Sequence, residues 1–335
     1  MPPQADASPI SADVLELDPE PAVEEIVAGL KEVVGKRLRK RGGVLGLSGG
    51  IDSSVCAALC ARAFGAERVL GVLMPESDSA DDTVDLSRLA AAAFGIETVL
   101  EDITPILEAA GCYHRRDAAF RSVIPEYGEG WRAKIVLPSL LGSDRYRLFS
   151  VVAESPDGER HEARLTATAY REVVAATNFK QRTRKLLEYH HADRLDYAVV
   201  GTPNRLEYDQ GFFVKNGDGA ADVKPIAHLY KSQVYALAEY LGVPEEIRSR
   251  PPTTDTYSLP QSQEEFYFSL PWDKMDVCLY GRTHDLPPEA VADAVGLSPE
   301  DVARVYGDID AKRRVAEALH LGPQLVVDDP ALERH

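Results

Sequence analysis

Long apolar runs are missing from this chain. No stretch approaches the ~20 residues needed to span a bilayer, so no membrane association is expected. Cysteine is scarce: four in 335 residues, with no C-x-x-C pair among Cys56, Cys60, Cys112 and Cys278. Neither a disulfide framework nor a thiolate metal site is expected, and all four read as buried small side chains. Positive charge is in deficit. With 37 Lys and Arg against 54 Asp and Glu the net charge is −17, which argues against a nucleic-acid partner, since such binding draws on a basic face. The first eighteen residues are acidic and rich in Pro and Ala, without the cationic and apolar layout of a secretion signal. A cytoplasmic location is expected, and residues 1–18 read as a mobile tail. Core material is plentiful: 44% hydrophobic residues support one large α/β domain or two small ones and exclude global disorder.

From residue 20 onward apolar patterns alternate between helical and strand periods. Residues 20–40 carry a helical stripe (Val23, Ile26, Val27, Leu30, Val33, Val34, Leu38). Strands are expected at Val44–Leu47, Val69–Met74, Glu97–Leu100 and Tyr197–Val200. Helices are expected at Ser53–Phe64, Ala80–Phe94, Ile103–Ala110, Tyr170–His190 and Lys231–Leu241, with Gly65, Gly95 and Gly242 as stops. Wholly apolar strands alternating with helices indicate a Rossmann-like, doubly wound parallel sheet covered on both faces. Ligands of such sheets sit beyond the strand carboxyl ends. From about 111 to 168 the alternation breaks. There Ser155-Pro-Asp-Gly158 separates two alternating runs, the signature of an inserted β-hairpin. Pro288 to Val327 reads as two or more short helices, one of them capped by Ser298. His190-His191 reads as a surface feature at a helix end, and Phe266-Tyr267-Phe268 with Trp272 as core or interface.

Two segments carry chemistry. The first is Val44-Leu-Gly-Leu-Ser-Gly-Gly-Ile-Asp-Ser-Ser54: a strand, a glycine turn and a helix start. Such a junction aims several backbone N–H groups and the positive helix end at one spot, where phosphate binds. It lacks the Gly-Lys-Ser/Thr of a Walker loop and the GxGxxG spacing of a dinucleotide fold. The second is Tyr197 to Gln233, in which Gly201-Thr202 is followed by Glu207, Lys215, Asp218, Asp222 and Lys231 in an aromatic, glycine-rich and barely periodic stretch.

The string SGGIDSS after a strand resembles the signature of the ATP pyrophosphatase (PP-loop) families. The second segment narrows the resemblance to the ammonia-dependent NAD synthetases. It carries Gly201-Thr202, Glu207, Gly211-Phe212-Phe213-Val214-Lys215, Gly217-Asp218-Gly219, Asp222, Pro225-Ile226 and Lys231, with Asn178-Phe-Lys-Gln-Arg-Thr-Arg184 upstream and Arg250-Pro-Pro-Thr253 downstream. The likeness spans roughly residues 20–253 outside the insertion. It implies a fold of the adenine nucleotide alpha hydrolase type over 19–255, with 256–335 as a helical C-terminal region of the same domain. Departures are the insertion, the run after Thr253, and Ala311-Lys312-Arg313 where the family carries His-Lys-Arg.

The resemblance implies an ATP-dependent amide ligase. A carboxylate is adenylated, pyrophosphate leaves, and ammonia displaces AMP, with deamido-NAD becoming NAD. Gly46, Leu47, Ser48, Gly49, Gly50, Ile51, Asp52, Ser53, Thr202, Lys231 and Thr253 would hold ATP. Asp52 and Glu207, as hard oxygen donors, would bind Mg2+. Lys231 and Asp218 would act in catalysis, and Arg182, Lys215 and Asp222 would hold deamido-NAD. A homodimer is implied. Because the resemblance includes no amidase domain, ammonia would come from solution or from a separate supplying subunit. Two other readings stand beside this one: the same chemistry on a different carboxylate in specialised biosynthesis, and a non-catalytic ATP-binding module. A tRNA-thiolating enzyme is a remote further option, disfavoured by the acidic balance.

Overall fold

The computed structural model describes residues 9–137, 140, 149–254 and 256–327. Its centre is a four-stranded parallel sheet of β1 (Gly43–Gly46), β2 (Val69–Leu73), β3 (Glu97–Leu100) and β7 (Ala198–Val199), in the order β3-β2-β1-β7. Gly43 lies opposite Val69 on one side and Ala198 on the other. Chain order therefore reverses between β1 and β7, and a crevice opens at their carboxyl ends. β1 and β2 are apolar throughout because helices cover both of their faces.

One face carries α1 (Pro19–Leu30), α2 (Ile51–Phe64) and α3 (Thr83–Phe94), joined later by α8 (Lys231–Leu241) and α9 (Glu245–Arg248). The other carries α4 (Thr104–Ala109), α5 (Cys112–Arg121) and the 29-residue α6 (Ala167–Leu195). A short helix α7 (Arg205–Gln210) follows β7. A separate apolar cluster holds α10 (Trp272–Thr283), α11 (Pro288–Val295) and α12 (Pro299–His320) together. Ser298 caps α12 by accepting the Asp301 N–H at 3.1 Å, and that helix runs for 22 residues rather than as short pieces. Among the described residues no helix is long and apolar enough to cross a membrane.

The expected hairpin is present as β5 (Ser150–Glu154) and β6 (Arg160–Arg164), turned by Ser155 to Gly158, and it gains a third antiparallel strand, β4 (Arg132–Val136). Gly158 sits at φ +83, as the Asp-Gly turn requires. The first of the two alternating runs was expected from Tyr146 onward, and Tyr146 to Leu148 lie outside the described residues. The sheet packs on α5 and α6 through Phe120, Ile135, Val151 and Val173. Residues 112–121, expected inside the insertion, are the helix α5 packed along α6.

Two further expectations need correction. The mobile tail covers too much: Leu15 is buried beside Met275 and Leu279, and the Ile10 N–H donates to the Ala290 carbonyl at 2.9 Å. Residues 1–8 lie outside the described residues. His191 is buried rather than on the surface, held between Glu101 (2.9 Å) and the Arg194 guanidinium (2.9 Å). All four cysteines are buried and unpaired, as expected.

Candidate active site

The crevice at the carboxyl ends of β1 and β7 is a cavity of about 450 Å3. One wall is the glycine turn. Gly49 has φ +72, and a Cβ there would stand 2.7 Å from the Leu86 side chain, so only glycine fits. The turn is laced by short hydroxyl contacts. Gly50 N–H donates to Ser48 Oγ at 3.3 Å, while Ser53 Oγ (3.0 Å) and Ser54 Oγ (2.9 Å) donate to the Gly50 carbonyl. Gly50 begins α2 without any side chain capping it. The first N–H groups of this 14-residue helix are thereby left for an anion. Asp52 lies one residue inside α2 and is not its cap.

The opposite wall comes from the segment after β7. Asn204 starts α7 through a capping box: its side chain accepts the Glu207 N–H at 3.3 Å, and Glu207 Oε2 accepts the Asn204 N–H at 3.1 Å. That box fixes the Glu207 carboxyl, whose Oε1 also accepts from Gln263 at 2.9 Å. Asn204 Nδ2 donates to Asp52 Oδ1 at 3.2 Å. Lys231, the first residue of α8 and buried, donates from Nζ to Asp52 Oδ2. The glycine turn and the glutamate-bearing loop, 152 residues apart at the Asn204–Asp52 contact, thus meet at one point.

Electrostatics there are unbalanced. Burial, and then the neighbouring Asp52 charge, push the Glu207 carboxyl up to about 7 although Lys231 pulls it the other way. Burial alone would lower the Lys231 ammonium, but the Asp52 and Glu207 charges outweigh it and raise the group. A cation with phosphate oxygens would complete this site. Two carboxylates beside an anion cradle suit the few direct protein oxygens that Mg2+ takes when phosphates and waters fill its other positions. Among the described residues no group of three or more His, Cys, Asp or Glu could hold a metal by itself.

Sequence reasoning missed Asp276. This buried α10 residue accepts the Lys231 N–H at 3.1 Å and the Ser232 N–H at 2.7 Å, so it caps α8 and fixes where Lys231 starts. Burial raises its carboxyl to about 6. No local sequence pattern marks it, because it caps one helix from another. Also missed was a buried ion network behind the cavity wall. Lys180 Nζ donates to Glu76 (2.8 Å), Asp78 (2.6 Å) and the Thr256 carbonyl (2.7 Å), and Arg116 pairs with Asp78.

Every residue expected to hold ATP lines the cavity: Gly46 through Ser53, Thr202, Lys231 and Thr253, with Glu207 among them. Asp218 also lines it, but its Oδ1 accepts the Val214 N–H at 2.7 Å, and burial raises its carboxyl. The three residues expected to hold deamido-NAD do not line this cavity. Asp222 accepts the Val199 N–H at 2.8 Å and pins β7. Lys215 Nζ donates to the carbonyls of Ala318 (2.7 Å) and Leu321 (2.9 Å) at the end of α12. Arg182 is exposed and donates to the Lys215 carbonyl at 3.3 Å. In place of the family histidine, Ala311 precedes Lys312 and Arg313. Lys312 donates to the Tyr267 carbonyl at 2.8 Å, and Arg313 is held bidentately by Asp209. The aromatic run expected as core or interface divides: Phe268 is core, Phe266 and Tyr267 face the cavity, and Trp272 stacks on Tyr235.

A phosphate cradle at the switch point of a doubly wound sheet, faced by two carboxylates and a lysine, defines a nucleotide-binding protein of the adenine nucleotide alpha hydrolase type. Residues 22–123 and 155–314 match the family model of NAD synthase. The chain is 60% identical over 316 residues, 94% of each chain, to the NH(3)-dependent NAD(+) synthetase of Rhizobium meliloti (strain 1021). It is 35% identical over 254 residues to the protein of the same name from Thermotoga maritima, covering 76% of this chain and 84% of that one. A solved NH3-dependent NAD synthetase from Campylobacter jejuni shares the fold, with TM-score 0.61 and 24% identity over 93% of this chain and all of that one. The chain belongs to the NAD synthase family.

Proposed function

We propose that this protein amidates deamido-NAD to NAD, consuming ATP and free ammonia. The observation that carries this reading is the meeting of Asp52, Glu207 and Lys231 beside the glycine turn in a chain 60% identical to an NH(3)-dependent NAD(+) synthetase. Oxide is a poor leaving group, so a carboxylate resists ammonia. The carboxylate oxygen therefore attacks the α-phosphorus of ATP. The bond to the bridging oxygen breaks, pyrophosphate leaves, and a mixed anhydride with AMP remains. Ammonia adds to its carbonyl carbon, AMP departs with the electron pair of the C–O bond, and the nitrogen loses a proton.

The residues divide this work. The α2 N-terminus with Ser48 and Ser53 holds the triphosphate, and Lys231 sits where charge builds on the departing pyrophosphate. Thr202 and Thr253 hydrogen-bond the nucleotide. Asp52 and Glu207 would hold Mg2+, which when bound supplies positive charge against the phosphate oxygens. Asp218, a buried carboxyl at the cavity wall, orients the acid or the amine. Arg182, Lys215 and Asp222 lie on the outside of the protomer, and they serve the dinucleotide in a homodimer whose substrate site includes a second copy. The setting is the cytoplasm.

The test is product formation with ATP, Mg2+ and ammonium. NAD appearing from deamido-NAD with one pyrophosphate per turnover supports the reading. Pyrophosphate release with another acid and none with deamido-NAD would move the substrate elsewhere. Nucleotide binding without release under any acid would leave a binding module.

A further inference from the structure

The cavity carries a second set of charged groups, on its α6 wall, that gripping a triphosphate leaves unused. Lys185 and Glu188 stand one turn apart on α6, and both line the cavity. Their side chains are 7% and 8% exposed, and Lys185 Nζ donates to Glu188 Oε2 at 2.6 Å. A buried ion pair adds little stability over apolar residues of the same volume. Its place on the wall of a reaction chamber therefore points to chemistry.

The second carboxylate oxygen of Glu188 is the one that matters. Among the described residues Oε1 accepts no hydrogen bond. The other cavity carboxyls are engaged. Asp52 accepts from Asn204 and Lys231, Glu207 from Asn204 and Gln263, and Asp218 from the Val214 N–H. A Cβ on Gly46 would stand 3.0 Å from Glu188 Oε1, which sets this oxygen against the last residue of β1, two positions before Ser48. A buried acceptor without a donor is costly, and a ligand bringing an N–H or O–H would satisfy it. Phosphate groups bring none and are held at the α2 end of the cavity. Ammonia brings three N–H groups and must give one proton up.

The charged neighbours of Glu188 are few. Its own helix supplies Lys185, Arg184, which donates to the Met74 carbonyl at 3.3 Å, and Tyr189, which donates to Asp222 at 3.4 Å. The loop after α7 supplies Asp218, near enough to feel both Lys185 and Glu188. Beyond it Lys224 donates to the Gly219 carbonyl at 2.6 Å. The ends of β1 and β2 bring the uncharged Gly46 and Met74.

We propose that Glu188 is the general base of the amidation step. Ammonia sits with one N–H on Oε1, and its lone pair forms the C–N bond to the acyl carbon of the mixed anhydride. As the nitrogen becomes positive its proton passes to Oε1, and the C–O bond breaks with its electron pair leaving on AMP. Glu188 gives the proton to water as products depart. Lys185 is a positioning residue that holds the other carboxylate oxygen. This role presupposes the amide-ligase reaction and leaves adenylation to Asp52, Glu207 and Lys231.

The experiment uses the full-length protein as Glu188→Gln and as the double variant Lys185→Met with Glu188→Gln, which removes both charges of the pair. Thermal unfolding checks each. Two half-reactions are followed: exchange of labelled pyrophosphate into ATP with deamido-NAD and no ammonium, and NAD formation as ammonium is varied. In both variants exchange should stay within about twofold of wild type while kcat/KM for ammonium falls by about 10²-fold or more, the range for a lost general base. Equal losses in the two half-reactions would overturn the proposal. So would recovery of amidation in the double variant, which would make the pair structural, or a loss confined to a raised KM for ATP, which would give Oε1 to a ribose hydroxyl. Wild-type turnover matched by both variants would refute this assignment alone, whereas a wild type that makes no NAD would refute the functional reading and the assignment with it.

Discussion

Glu207 and Asp52 both lie against the Lys231 ammonium, and in the proposed function the two carboxylates hold a cation against the phosphates. Replacing either carboxylate by its amide keeps the volume and removes the charge. Asp52→Asn and Glu207→Gln should each lower pyrophosphate release by about 10²–10³, the range for losing one preorganised charge contact, with near-native thermal unfolding. Near-normal rates at saturating Mg2+ would remove both from the metal role. Asp276 offers a pH test. Its folded carboxyl stands near 6 against an ordinary value of 3.8 because of burial. A raised carboxyl favours the folded state fully below about 3.8 and loses that contribution as pH rises through about 6. The stability advantage of wild type over Asp276→Asn should therefore shrink between pH 4 and 7 in thermal melts; an advantage that grows with pH would contradict the assignment. Asp52, Glu207 and Lys231 were legible in the sequence because each sits in a short motif string that a strand end or helix start fixes in space. Asp276 was not, because a cap supplied from another helix has no local pattern.

Among the elements, those that alternate in period were readable to within a few residues: β3 at Glu97–Leu100 and α8 at Lys231–Leu241 fall where the apolar pattern and the stop glycine put them. The hairpin was readable from its Pro-Asp-Gly turn. β4 was not: it pairs with β5 on one edge, but its other edge is held by contacts 125 and more residues away in the 258–265 run. The ion network around Lys180 was equally hidden, because charges on a helix ordinarily read as a solvated face. Lys180 is 1% exposed and bridges α6 to Glu76, Asp78 and the Thr256 backbone. Lys180→Met would leave Glu76 and Asp78 short of a buried counter-charge, at a cost of about 3–5 kcal/mol. Urea unfolding should show that loss, and KM for ATP should rise because Thr256 and its neighbours wall the cavity. A loss under about 1 kcal/mol would mean that Arg116 alone neutralises the cluster.

For the whole molecule, the sheet, its layers and the position of the crevice followed from the alternation of strands and helices, as did the meeting of two distant loops. The reach of Arg182, Lys215 and Asp222 did not, because a motif string fixes residue type and not the direction in which a side chain leaves the surface. Lys215→Ala separates two roles. As a substrate contact across a second copy it should raise KM for deamido-NAD at least about tenfold while KM for ATP stays flat, the scale of one lost charged contact. A lower melting temperature with both KM values unchanged would leave Lys215 as a fastener of α12 alone. Sedimentation of the wild type in the same buffer should show the dimer that this reading requires.

The central claim is that one triphosphate is gripped by both loops so that an acid is activated before ammonia arrives. Exchange of labelled pyrophosphate into ATP, followed in the absence of ammonium, tests that order directly. The account predicts exchange that requires deamido-NAD and Mg2+ and that collapses in both Asp52→Asn and Glu207→Gln. Exchange that runs equally well without the acid, or that survives in both variants, would contradict it.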